Sequence, residues 1–373
     1  MDLFSNLALG LSVAVTPANL FYAFVGTLVG TLIGVLPGMG PVATIAMLLP
    51  TTYVLPPVTA LIMLAGIYYG ASYGGSTTAI LVNLPGEMSS VITVLDGHQM
   101  ARQGRAGAAL CVCALGSFFA GCVATLIIAA FAPPLAELAL KFDAAEYFSL
   151  MVLGLASAVA LAHGSVLKAI LMIILGLLLG IVGTDINSGM ARFSLRLPEL
   201  TDGIGFVAMT MGLFAFAEVA SNLEGTKRRD VRAEGVGGIW MTWAELKKSF
   251  PPMVRGTALG SLLGILPGGG ATLSAFASYT VEKRLAADPS AFGRGAIEGV
   301  AGPEAANNAG AQTSFIPMLT LGIPSNAVMA LMVGALIIHN IQPGPEVMTK
   351  NPELFWGLIA SMWIGNLMLV VLN

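Results

Sequence analysis

A fifteen-residue segment of this 373-residue chain occurs twice, 230 positions apart: GTLVGTLIGVLPGMG at Gly26–Gly40 returns as GTALGSLLGILPGGG at Gly256–Gly270. Nine of the fifteen positions are identical, and most others exchange one small or apolar residue for another, the mark of an internal duplication. Each copy is apolar up to Leu-Pro-Gly-x-Gly, where proline removes a backbone donor and glycine admits conformations other residues avoid. Such a break is costly in a bilayer, where no water satisfies the freed N–H and C=O groups. Matching breaks in two halves of a chain point to a binding site between them.

The chain is 56% hydrophobic and 10% charged with a mean hydropathy of +0.84, too little polar surface to cover a soluble globule. It reads as an all-α polytopic membrane protein in a lipid bilayer. Its 17 basic and 20 acidic residues nearly cancel, which removes the electrostatic footprint of a nucleic-acid partner. Cys111, Cys113 and Cys122 share one apolar stretch and read as small space-fillers, not a disulfide framework.

The chain divides into a short retained N-terminal helix (1–17), a first repeat (18–105), connecting transmembrane helices (106–221), a basic loop (222–251), a second repeat (252–345) and the start of a further transmembrane helix (354–373). Each repeat reads as a re-entrant hairpin, 18–50 or 252–281, followed by a broken helix, 58–84 or 304–323. An amphipathic segment at 87–104 closes the first and is expected to rest on lipid headgroups or on a partner. A helix over 326–340 follows the second break.

Lys and Arg concentrate on the cytoplasmic side of short loops. Placing Arg102 and Arg105 inside, and counting Lys168 with them, puts thirteen of the seventeen basic residues in the cytoplasm and leaves Lys141, Arg192, Arg196 and Lys350 outside. The second hairpin then opens inward, whereas the first, with no Lys or Arg between Met1 and Gly97, opens outward. The repeats are therefore expected to be inverted, with alternating access as the consequence.

The end of a half-helix offers free N–H groups and about half a positive charge, enough to hold a carboxylate without a buried arginine. Gly38, Met39 and Gly40 at the first break and Gly268, Gly269, Gly270 and Thr272 at the second are the backbone candidates. The row Gly26, Gly30 and Gly34 is assigned instead to helix packing. Freed carbonyls with Ser76, Thr77, Thr78, Asn83 and Pro85 of the first repeat, and with Asn307, Asn308, Gln312, Thr313, Ser314, Pro324, Ser325 and Asn326 of the second, complete a substrate and ion site. Such hard oxygens suit Na⁺, and H⁺ is the other candidate for a coupling ion. Glu304 could pair with either or lie solvated at a helix start; Tyr68, Tyr69 and Tyr73 either wall the cavity or anchor at an interface.

A membrane-embedded enzyme is the first alternative. His-Glu-x-x-His does not occur, and no Ser/Lys or paired-aspartate arrangement falls inside the spans. An ion channel would call for a continuous polar lining and subunit symmetry in place of duplication.

The motifs GVLPGMGP, LIMLAGIYYGASYGGSTTAILVNLPGE, VLDGHQMARQGRAG, PEAANNAGAQTSFIPMLTLGIPS and ALIIHNIQPGP together resemble the large membrane subunit, TctA type, of the tripartite tricarboxylate transporters. That resemblance implies a bacterial inner-membrane carrier taking up citrate or related carboxylates on an ion gradient. It also implies two partners, a small four-helix membrane subunit of TctB type and a periplasmic solute-binding protein of TctC type. Members of that family run longer, so the chain is expected to be truncated at its C-terminal end.

Overall fold

In a computed structural model, residues 3–36, 40–161, 165–184, 190–195, 197–201, 203–217, 219–220 and 240–373 are described. Pro37, Gly38, Met39, His163, Arg196, Lys227, Arg228, Arg229 and Arg232 lie outside them, as does most of the basic loop expected at 222–251. The described residues are predominantly helical, with one two-residue antiparallel pairing of 183–184 with 191–192.

The first third holds α1 (Leu3–Ala14), α2 (Pro17–Val35), α3 (Pro41–Leu48) and α4 (Pro57–Val82). Then come α5 (Ala106–Ala139), α6 (Ala144–Leu161) and α7 (Val166–Gly180). The last third contains α8 (Trp243–Ile265), α9 (Gly270–Leu285), α10 (Glu298–Thr313), α11 (Phe315–Leu321), α12 (Ala327–Ile338) and α13 (Pro352–Leu372). Of these, α2, α5 and α13 are long and apolar enough to cross a membrane. No residue of α7 is buried, and Leu167, Leu171, Met172 and Leu175 all face outward, as on a helix whose solvent is lipid or another chain.

Two helices form the centre, and neither is amphipathic. In α4 nearly every residue from Thr59 to Ile80 is buried, and in α10 every residue from Gly299 to Thr313. A helix enclosed all round needs small residues where neighbours approach, which is what both sequences supply. On α2, a methyl group added to Gly26, Gly30 or Gly34 would lie 2.2, 2.5 or 2.4 Å from the carbonyl oxygen of Met63, Ile67 or Ala71 on α4. On α8, one added to Gly256, Gly260 or Gly264 would lie 2.2, 2.2 or 2.4 Å from that of Gly302, Ala306 or Gly310 on α10. The glycine rows are therefore packing devices. Their partners are offset by 239 residues where the glycines are offset by 230.

Three sequence expectations need correction. The helix expected to break between 58 and 84 is continuous from 57 to 82, and its Gly-Ser-Thr-rich middle is helix interior held tight by α2. The break comes afterwards, at left-handed Asn83 (φ 59°), and its counterpart is left-handed Gly322 (φ 72°) at the end of α11. In the first hairpin α3 packs chiefly on α4, α12 and the turn at 211–216 and little on α2, while α8 and α9 run along one another as expected of a hairpin. Finally, one side of the segment 87–104 rests on the chain itself, where lipid headgroups or a partner had been expected: Ser89, Ser90, Thr93, Asp96, Gly97 and Met100 are buried. The Asp96 carboxylate explains this, accepting from the N–H groups of Gly293, Gly295 and Ala296, each at 2.8 Å, and from the Tyr279 hydroxyl at 2.9 Å. It ties the end of the first repeat to the loop before α10.

Candidate functional site

The backbone breaks meet at one cleft of about 460 Å³. Gly40 enters it from the first break, and Gly269, Gly270 and Thr272 from the second. Pro85, Gly86 and Glu87 come from the end of α4, and Asn326 from the start of α12. Three helices thus begin at this cleft: α3 after Gly40, α9 after Gly269 and α12 after Asn326. Their first-turn N–H groups lack intrahelical partners and carry the positive end of each dipole.

Local sequence builds this geometry. Pro41 opens α3, where its missing N–H costs nothing. Gly268 (φ 78°) and Gly270 (φ 61°) adopt left-handed backbone that turns the chain from α8 into α9, and the Gly268 N–H donates to the Ser325 carbonyl at 2.8 Å, joining the two breaks of the second repeat. The Asn326 side chain accepts from the Met329 N–H at 3.0 Å to cap α12 and donates to the Tyr68 hydroxyl at 3.3 Å across the cleft. Among the described lining residues there is no Lys or Arg, and Glu87 is the one carboxylate. Ser89 donates to it, and it sits against Gly75 of α4.

Of the residues predicted for the site, the cleft therefore gathers Gly40, Pro85, Gly269, Gly270, Thr272 and Asn326. Gly268 and Ser325 lie directly behind it. Gly38 and Met39 fall outside the described residues. Thr77 donates to the Asn373 side chain at 2.9 Å, Asn83 is an exposed helix cap, and Pro324 does not line the cleft. Thr78, Thr313 and Ser314 return their hydroxyls to the carbonyls of Gly75, Ala309 and Ala311 in their own helices.

The remaining polar residues collect elsewhere, around a fully buried Glu304 on α10. Ser76 donates to Glu304 Oε2 at 2.8 Å, Asn307 Nδ2 to the same oxygen at 3.3 Å, and Thr93 to Oε1. Asn308 Nδ2 reaches Ser117 at 2.7 Å and the Glu304 carbonyl at 3.0 Å. Gln312 accepts from Thr125 at 2.9 Å. Ser76, Asn307, Asn308 and Gln312 were expected at the breaks; continuous α4 and α10 carry them instead into the helix interior.

Tyr68 walls the cleft, one of the two roles open to it from the sequence, whereas Glu87 and Ser89 in the cleft, and Thr93 and Ser117 beside the buried cluster, were not assigned from the sequence. Glu87 had a signal. It follows Leu84-Pro85-Gly86 as Asn326 follows Ile323-Pro324-Ser325, so the 239-residue offset pairs the two. A larger groove of about 860 Å³, lined by parts of 139–151 and 321–346, contains none of the predicted residues.

A family model described as the Tripartite tricarboxylate transporter TctA family matches residues 20–373. The chain is 62% identical, over all 373 residues, to an uncharacterized 52.8 kDa protein in the TAR-I ttuC′ 3′ region of Agrobacterium vitis, and covers 74% of it. It is also 71% identical over 114 residues to an uncharacterized protein in the TAR-II ttuC′ 3′ region of the same organism, a match taking in 31% of this chain and 47% of that one. No solved structure matches. With its apolar helices and this coverage, the chain is a multi-pass membrane protein and a member of the TctA family of tripartite tricarboxylate transporters, a family of transporter components and not of enzymes.

Proposed function

We propose that the cleft binds a carboxylate and that the chain is the substrate-translocating subunit of an ion-driven uptake system for citrate or a related small organic acid. One observation carries this: three helices start at a single cleft whose described lining includes no basic side chain. First-turn N–H groups, such as those of Ala271, Thr272, Ala327 and Val328, and aligned dipoles there supply positive potential without the desolvation cost of a buried guanidinium. The volume of about 460 Å³ falls within the roughly 300–1,000 Å³ of small-molecule sites.

Glu87 gives a physical reason for ion coupling. A carboxylate entering beside it brings like charge into a medium of low dielectric, so a cation, Na⁺ or H⁺, must accompany the substrate to offset the repulsion. The duplicated glycine joints support two repeats inverted across the membrane, with access alternating as one moves against the other. By analogy with its family, the chain works in the bacterial inner membrane with a small TctB-type membrane subunit and a periplasmic TctC-type binding protein, which does much of the selecting.

The test is to fill the cleft in the assembled transporter. Ala327→Trp should abolish uptake of labelled carboxylate into liposomes while assembly and melting stay as in the wild type; undiminished uptake refutes the assignment. Cysteines at exposed Tyr53 and Ala287 should label from opposite faces of the membrane, and same-side labelling removes the inverted arrangement.

A further inference from the structure

Glu304 is a carboxyl group with no exposed surface, deep in a protein that spans a membrane. Its side-chain partners are the hydroxyls of Ser76 and Thr93 and the amide of Asn307; no Lys, Arg or His is among them in the described residues. The nearby charged groups are already engaged: Glu282 holds Arg255 through both its oxygens, at 2.8 and 2.5 Å, and Asp96 holds the N–H groups of the 293–296 turn. A buried charge left without a counter-charge is strongly disfavoured, and an ionisable group inside a membrane marks a functional site with a partner to be named.

A second observation, independent of the carboxyl, points to the nature of that partner. Asn308 is fully buried, and its Oδ1 has no hydrogen-bond partner although its Nδ2 is bonded to Asn307 Oδ1 at 2.5 Å. An orphaned buried acceptor needs a donor or a cation. The amides of Asn307 and Asn308 lie side by side, the Asn307 oxygen accepting from the Asn308 nitrogen while the Asn307 nitrogen donates to the carboxylate. Glu304, Ser76, Thr93, Asn307 and Asn308 thus bring hard oxygens from three segments, α4, the stretch at 91–93 and α10, into one hydrogen-bonded cluster.

We propose that these five residues form a binding site for a small monovalent cation of the Na⁺ kind, separate from the carboxylate cleft and one layer behind it. The two sites are adjacent through the chain. Gly75, against which Glu87 of the cleft rests, precedes Ser76, and Ser89 of the cleft lies one turn before Thr93. An ion here neutralises Glu304 and can be felt at Glu87. The site stands on its own residues; that the ion drives uptake rests on the transport reading above.

The experiment is thermal unfolding of the purified full chain in detergent, with NaCl titrated against KCl or choline chloride at constant ionic strength and at two pH values. The expected result is a saturable rise in the melting temperature with Na⁺ alone, lost in Glu304→Gln and moved to at least tenfold higher Na⁺ in Ser76→Ala. Ser76→Ala reads the site even if Glu304→Gln does not fold. Ala327→Trp, which blocks the cleft, should keep the full Na⁺ response, so failure of the carboxylate reading and failure of this one are distinguishable. A wild type indifferent to Na⁺, a response that K⁺ reproduces, a shift that follows pH in place of Na⁺, or a response intact in both Glu304→Gln and Ser76→Ala would each overturn the proposal.

Discussion

In the first repeat the central helix α4 carries Tyr68, Tyr69 and Tyr73; 239 residues on, α10 carries Asn307, Asn308 and Gln312 at the matching positions. Both helices are enclosed, and both are gripped by a glycine row on the preceding helix at nearly equal separations. The contents differ. The tyrosine side anchors neighbours, as where the Tyr73 hydroxyl donates to Asn366 on α13 at 3.1 Å, while the amide side surrounds Glu304. The joint is thus a backbone device indifferent to what the rest of the helix bears, and one copy was free to become scaffold while the other gathered polar chemistry.

The largest effect should come from attacking the shared joint. Gly30→Leu and Gly260→Leu each drive a side chain into a carbonyl of the facing helix, and overpacking against backbone should cost more than about 3 kcal/mol. Both should lose the folded protein in a detergent melt; if only one does, the two joints are not equivalent. Next is the tie between copies. Asp96→Ala leaves the N–H groups of Gly293, Gly295 and Ala296 without their acceptor, an expected loss of roughly 1–3 kcal/mol read as a lower melting temperature, and an unchanged melt would show that water replaces the carboxylate.

The matched pair Glu87 and Asn326 sharpens the contrast at the cleft itself. Asn326→Asp puts a second carboxylate beside the substrate and should weaken carboxylate binding by about tenfold or more, measured by calorimetry. The reciprocal Glu87→Gln should tighten it. Smallest is Tyr68→Phe, which removes the hydroxyl that meets Asn326 and should cost about 0.5–1.5 kcal/mol of affinity, roughly two- to thirteenfold. Unaltered binding in both Asn326→Asp and Tyr68→Phe would place the substrate elsewhere.

Much of this architecture was legible in the sequence. The duplicated Leu-Pro-Gly-x-Gly gave the positions of two breaks because proline and glycine act locally, and spacing by four gave the packing role of Gly26, Gly30 and Gly34. What could not be read was the sorting of polar residues between two sites. Ser76 and Asn326 look alike in composition, but Ser76 sits mid-helix on the face toward Glu304 and Asn326 at a helix start, a distinction that depends on where α4 ends. The amphipathic pattern of 87–104 suggested a helix resting on headgroups or a partner, because the donors that meet Asp96, in the 293–296 turn, are nearly 200 residues away in sequence. The nine-residue difference between the two repeat offsets, 230 and 239, was the one trace of the longer α9 and of the longer connection to α10 that Asp96 grips.

The most direct test of the account is a structure of the protein with a carboxylate bound. The account predicts carboxylate oxygens within hydrogen-bond distance of N–H groups opening α9 and α12, such as those of Ala271, Thr272, Ala327 and Val328, with no guanidinium or ammonium in contact. An anion held by an arginine or lysine, or seated in the groove between 139–151 and 321–346, would contradict it.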